Sequence, residues 1–205
     1  MKILKSISNI YKVFPTGRKP VLLTCDDLND YVCKHKDIAS DKILFNEYFA
    51  ASFLKLWKIK VPDFAFIQVN KKHIPEKYLG AGLRYDFFDK TCFGSFYLKH
   101  SKELSTHDSF FSGKKIDRFK KFDFLTIALF DIWIANEDRH HPGHNLLINF
   151  EKEGWFFYPI DHEFILNSNS GQKLVPITEE ETLLAHDIFK ILFKKSKIDN
   201  DLSLH

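Results

Sequence analysis

The stretch from Phe122 to Phe164 constrains the fold more than any other. Phe122, Leu125, Leu129, Ile132 and Trp133 recur at three- and four-residue intervals, which predicts a helix over 122–136. The helix runs into Asn136-Glu137-Asp138-Arg139 and then a His-rich loop. Asn145-Leu146-Leu147-Ile148 and Phe156-Phe157-Tyr158-Pro159-Ile160 read as strands, joined by a hairpin turn at Glu151-Lys152-Glu153-Gly154. Such a hairpin brings Asn145, before its first strand, close to Asp161, after its second. Asp138 joins them from the helix end. Two acids and an amide, anchored at the ends of short apolar elements, suit Mg²⁺ and the phosphates of a nucleotide. A phosphotransferase is the reading the rest of the chain has to support.

Size allows one domain or two small lobes sharing a cleft, since the chain has 205 residues. With 30 basic and 27 acidic residues the net charge is only +3, too balanced to argue for direct nucleic-acid binding. No run of 18 apolar residues exists, which argues against a membrane helix. The N-terminal MKILKSISNIYKVF has no continuous apolar core and does not read as a signal peptide. Cys25, Cys33 and Cys92 form no CxxC pair, so reduced thiols in a cytoplasmic protein are expected.

The first 70 residues read as one lobe. Residues 1–14 fit an edge strand or a short helix. Pro15-Thr16-Gly17-Arg18-Lys19-Pro20 is a turn, and Thr16-Gly17-Arg18 could lie over phosphates, with bare backbone N–H groups and one cation. A plain surface turn is the competing reading. Val21 to Cys25 and Tyr31 to Lys34 read as hairpin strands. From Asp41 a helix is expected, with Leu44, Tyr48, Ala51, Leu54 and Trp57 on its apolar side and Glu47 beside that stripe. A partly buried acid needs a partner, and Lys34 is the natural one; two unrelated surface charges are the alternative. Phe64 to Val69 is a buried strand, and the lobe boundary is expected at residue 70. In the second lobe, 71–205, residues 71–91 read as irregular loop and Cys92 to Leu98 as strand or turn. Lys99 to Lys121, with its Lys and Ser residues, reads as a mobile insertion, and Glu179 to Lys195 as a helix.

Taken in order, these segments resemble the HipA-like kinase family, in its compact, single-domain branch. Asn136-Glu137-Asp138-Arg139, Asn145-Leu146-Leu147 and Ile160-Asp161-His162-Glu163 look like its catalytic and metal-binding segments. Thr16 to Pro20 resembles its glycine loop, Tyr31 to Lys34 its lysine strand, and Asn46-Glu47, Val61-Pro62 and Phe93-Gly94-Ser95 its further motifs. The resemblance implies an α+β, two-lobed, protein-kinase-like fold, with a small antiparallel sheet and helix in the N-lobe. The C-lobe would be helical, with a catalytic β-hairpin. It also implies ATP and Mg²⁺ as cofactors and γ-phosphate transfer to a Ser or Thr of a protein, itself included. Asp138 would be the catalytic acid–base residue and Arg139 would orient its loop; Asn145 and Asp161 would hold Mg²⁺. Gly17, Arg18 and Lys34, the last held by Glu47, would meet phosphates, while Gln68 and Val69 would lie at the interlobe linker near adenine. Family members often act as toxins, so an antitoxin or operon partner and a stress or defence role are implied.

Kinase catalytic loops commonly place the metal-binding Asn five residues after the catalytic Asp; Gly143 stands there, and the nearest amide is Asn145. If that amide does not serve, the chain is a pseudokinase binding module. A second alternative uses His140, His141, His144 and His162 with the two Asp residues as a metal-dependent phosphohydrolase site.

Overall fold

The computed structural model describes residues 2–36, 41–80, 82–104, 113–139, 145–166 and 175–193. The fold is α+β with a mixed sheet and few helices. It divides into two compact units, the first Met1–Ser52 with Pro62–Lys99 and the second Phe53–Val61 with His100–His205.

The first unit is built on six strands: β1 (Ile3–Lys5), β2 (Lys12–Val13), β3 (Val21–Thr24), β4 (Asp30–Lys34), β5 (Phe64–Gln68) and β6 (Cys92–Phe96). Their order is β1-β5-β6-β4-β3-β2, antiparallel throughout except for β1 beside β5. Strand alternation sorts the residues into two faces. Tyr31, Cys33, Ala65, Ile67 and Cys92 enter a core with Leu23, Ile74, Leu83 and Phe88. Each large aliphatic side chain buried there contributes roughly 1.5–3 kcal/mol. Lys34, Phe93 and Phe66 line up across β4, β6 and β5 on the opposite face. Helix α1 (Asp41–Leu56) packs there, with the Tyr48 ring 5.9 Å from Phe64 and 5.2 Å from Phe66. Gly94, at the centre of β6, leaves room for Ile67, whose side chain a Cβ would strike.

The boundary expected at residue 70 is not where the units divide. β6 inserts between β4 and β5, so the stretch from Pro62 as far as Lys99 stays with the first unit. Asn70 reads as an end because it caps a short 3₁₀ turn, Lys71–His73, its side chain accepting from the Lys72 N–H at 3.0 Å. The segment that follows, with helix α2 (Glu76–Leu79), is not plain loop but carries Ile74, Leu83 and Phe88 into the core.

All three cysteines are free and buried. Burial pushes the Cys25 and Cys92 thiols up to about 12 and raises Cys33 well above its ordinary value. At neutral pH none carries the thiolate that alkylating agents need. We expect mass spectrometry after iodoacetamide to find no modified thiol in the native protein and all three modified in denaturant.

The second unit contains helix α3 (Lys121–Ile134), an antiparallel sheet β7-β8-β9 (Lys102–Glu103, Leu146–Glu151, Gly154–Pro159) and helix α4 (Asp187–Leu192). The helix forms where the periodicity predicts it, but turned to another face. Phe124, Ile127, Ala128, Phe130, Asp131 and Ile134 are buried, while Phe122, Leu129 and Trp133 are 77%, 57% and 51% exposed. A helix apolar nearly all round has no polar stripe to mark its outer side, so spacing alone selects no face. The β8–β9 hairpin pairs from Leu146↔Pro159 to Glu151↔Gly154. Gly154 has φ 133°, and a Cβ on it would fall on the Arg118 carbonyl oxygen, so the turn requires glycine.

Two other expectations change. The Lys99 to Lys121 stretch holds structure, since β7 pairs with β8 and a 3₁₀ segment, Gly113–Arg118, leads into α3; Ser105, Ser109 and Ser112 lie outside the described residues. The single C-terminal helix is instead two 3₁₀ turns, Glu179–Glu181 and Leu183–Ala185, followed by α4. Thr178 and Glu181 form a capping box, the Thr182 hydroxyl accepts from Leu184 N–H at 3.2 Å, and His186 Nδ1 accepts from Ile188 N–H at 3.1 Å. Each cap restarts the chain and competes with helix propagation. Among the described residues no helix is long and apolar enough to cross a membrane.

Candidate active site

In the first unit Lys34 stands on the sheet face covered by α1, in line with Phe93 and Phe66. Glu47, on the second turn of α1, forms an ion pair with it through Oε1. The two side chains are 14% and 4% exposed, so this is a largely buried pair rather than two unrelated surface charges. Gly17 and Arg18 lie at the tip between β2 and β3, closed by hydrogen bonds from Phe14 N–H to Pro20 O and from Lys19 N–H to Thr16 O, both 2.9 Å. Nothing lies within 4 Å of the position a Gly17 Cβ would take, so the backbone there is open. Gln68 ends β5 opposite Lys5 and Val69 belongs to the core, both inside the Pro62–Lys99 stretch of the first unit.

In the second unit α3 stops because Ala135 turns left-handed (φ 51°), which lets Asn136 N–H reach Asp131 O at 2.9 Å. Asp138 follows at once, its N–H bonded to Asn136 Oδ1 at 3.2 Å. Pairing of β8 with β9 brings Ile160 N–H to Asn145 O at 2.9 Å, so Asn145 and Asp161 sit at the open end of one hairpin, as strand pairing alone requires. Asn145 Nδ2 donates to Asp138 Oδ2 at 3.1 Å and to Asp138 O at 3.4 Å. The loop that is two residues longer than the usual kinase spacing therefore still joins amide and acid. Asn145 and Asp161 are both left-handed, at φ 43° and 58°. Asn and Asp are the side chains that tolerate this region best after glycine, and unusual backbone of this kind gathers at functional sites.

Arg139 takes a different part from a group that meets substrate. Its side chain is completely buried, and its Nε lies 2.7 Å from Asp131 Oδ2. Its Nη1 donates to the carbonyls of Asn145 and of Ile160, the latter at 3.1 Å. Asp131 is the residue the sequence reading missed. The signal was present, because one carboxylate in the otherwise apolar run Leu125 to Ile134 must find a cation or a donor. Of the four candidate histidines, His140, His141 and His144 lie outside the described residues, as does Gly143, and His162 is buried.

The donor set fits a hard cation. The Asp138 carboxylate receives the Asn145 NH₂, the Asn145 amide has an oxygen besides, and Asp161 at the same end of the hairpin has a carboxylate. One or two such oxygens plus phosphate oxygens and water are what Mg²⁺ takes. Residues 7–189 match the profile described as HipA-like kinase, across both units. The chain belongs to the HipA-like kinase family. A search of curated proteins finds no match. Membership in the HipA-like kinases gives the chain a kinase-type function, a class that in general works with ATP, a divalent cation and a protein substrate.

Proposed function

We propose that this HipA-like kinase is an ATP- and Mg²⁺-dependent enzyme that transfers the γ-phosphate to a Ser or Thr hydroxyl of a protein, its own chain included. The observation that carries the reading is the 3.1 Å hydrogen bond from Asn145 Nδ2 to the Asp138 carboxylate. In that reading Asp138 would orient the attacking hydroxyl and take its proton. Asn145 and Asp161 would hold the metal, which when bound neutralises charge on the phosphates. Lys34, steadied by Glu47, would contact the α- and β-phosphates, and Gly17 and Arg18 would cover them from the β2–β3 tip. On this reading the two units are the lobes of a kinase fold. By family habit the enzyme is a cytoplasmic toxin or a stress or defence kinase, restrained by an antitoxin or operon partner.

Incubation of the purified protein with γ-labelled ATP and Mg²⁺ tests this directly. The expected result is acid-stable label on Ser or Thr of the chain or an added protein, lost when Mg²⁺ is chelated. Release of inorganic phosphate without protein label, together with stoichiometric Zn²⁺ or Mn²⁺ in the isolated protein, would instead assign a phosphohydrolase. No thermal stabilisation by Mg·ATP would assign a binding module.

A further inference from the structure

The acting residues of the second unit hang from one carboxylate that the sequence reading left without a role. Asp131 Oδ2 faces Arg139 Nε at 2.7 Å, and Asp131 Oδ1 accepts from Asn136 Nδ2 at 2.8 Å. Two branches leave it. Through Asn136 the first reaches the Asp138 N–H, at 3.2 Å. Through Arg139 Nη1 the second reaches the carbonyls of Asn145 and Ile160. Those carbonyls belong to peptide units that border the two left-handed residues, Asn145 itself and Asp161, which follows Ile160. A guanidinium holds carbonyl oxygens by charge-assisted bonds, stronger than neutral ones. A completely buried guanidinium, in turn, persists only beside a counter-charge, and Asp131, 1% exposed, supplies it.

We infer that Asp131 is a positioning residue for the cation site: by balancing the charge of Arg139 and aiming it, Asp131 holds Asn145 and Asp161 in the left-handed conformations that present their oxygens to one metal ion. The inference rests on the functional reading above, in which those two residues bind the cation. Groups that orient metal ligands without touching the metal change metal affinity by about 10–100-fold when lost.

The test is Mn²⁺ affinity, read by electron paramagnetic resonance with a saturating non-hydrolysable ATP analogue, alongside Mg²⁺-dependent turnover. Asp131→Asn keeps shape and one donor–acceptor link but removes the charge. It should raise the Mn²⁺ dissociation constant about 10–100-fold, and excess Mg²⁺ should recover its turnover, while the KM for ATP at saturating metal stays near the wild-type value. Loss of stability alone would not be reversed by metal. A dissociation constant within about twofold of wild type in folded Asp131→Asn, well short of the range for such groups, overturns the inference. Should Asp131→Asn fail to fold, Asp131→Asn/Arg139→Gln removes both buried charges together, and the same two outcomes apply to it. Asp161→Asn separates the levels of the argument. If wild type and Asp161→Asn bind Mn²⁺ alike, the metal assignment fails and takes this inference with it; if only Asp161→Asn loses Mn²⁺, the ligand assignment stands and the role of Asp131 falls.

Discussion

Asp138→Asn lowers γ-phosphate transfer by about 10²–10⁴-fold, the range for removing a general base, yet leaves the thermal shift produced by Mg·ATP in place. Asp138 is held by an N–H bond to Asn136 Oδ1 and by the Asn145 amide, and an asparagine oxygen can accept the second as the carboxylate does. What disappears is the negative charge and the capacity to take a proton, not the loop. Asp161→Asn gives a contrasting result. Asn is the side chain best suited after glycine to φ 58°, so the backbone is undisturbed. The carboxylate proposed to hold the metal is gone, however, so turnover should fall and stabilisation by ATP should no longer depend on added Mg²⁺. Equal turnover in wild type and both variants would remove Asp138 and Asp161 from the reaction. A variant pair that behaved identically in the thermal-shift experiment would remove the distinction between base and ligand.

How much of this was readable beforehand depended on how local the determining interaction was. The closeness of Asn145 and Asp161 follows from a hairpin whose strands and turn are all contiguous, and Gly154 marks that turn. The pairing of Lys34 with Glu47 was readable because an acid beside an apolar helix stripe needs a cation, and the preceding strand offers one. The unit boundary was not readable, because β6 joins its sheet from far along the chain and no nearby residue records the insertion. The outer face of α3 was hidden for the opposite reason: Phe122 and Phe124, or Leu129 and Phe130, are equally apolar, and only packing chooses between them. Asp131 fell between these cases. Its oddity is visible in the apolar run, but its partner, Arg139, lies past a left-handed helix stop that spacing rules do not foresee.

Glu47→Ala should cost about 3–5 kcal/mol of stability, the range for removing one partner of a buried ion pair. Lys34 then remains on a sheet face beside Phe93 and Phe66, only 14% exposed, without the Glu47 carboxylate. The double replacement Lys34→Met/Glu47→Leu removes both charges of the pair together. Apolar side chains of similar volume suit the aromatic surroundings, and such exchanges are often neutral or stabilising. Denaturant midpoints should therefore fall sharply for the single variant and return to or above the wild-type value for the double. Nucleotide binding will not return with them if the ammonium meets phosphates, because the double variant has no cation there. Recovery of stability without recovery of Mg·ATP binding separates a lysine kept for its ligand from one kept for its fold. Recovery of both would leave the Lys34–Glu47 pair a structural feature of the first unit and would place the phosphate contacts elsewhere.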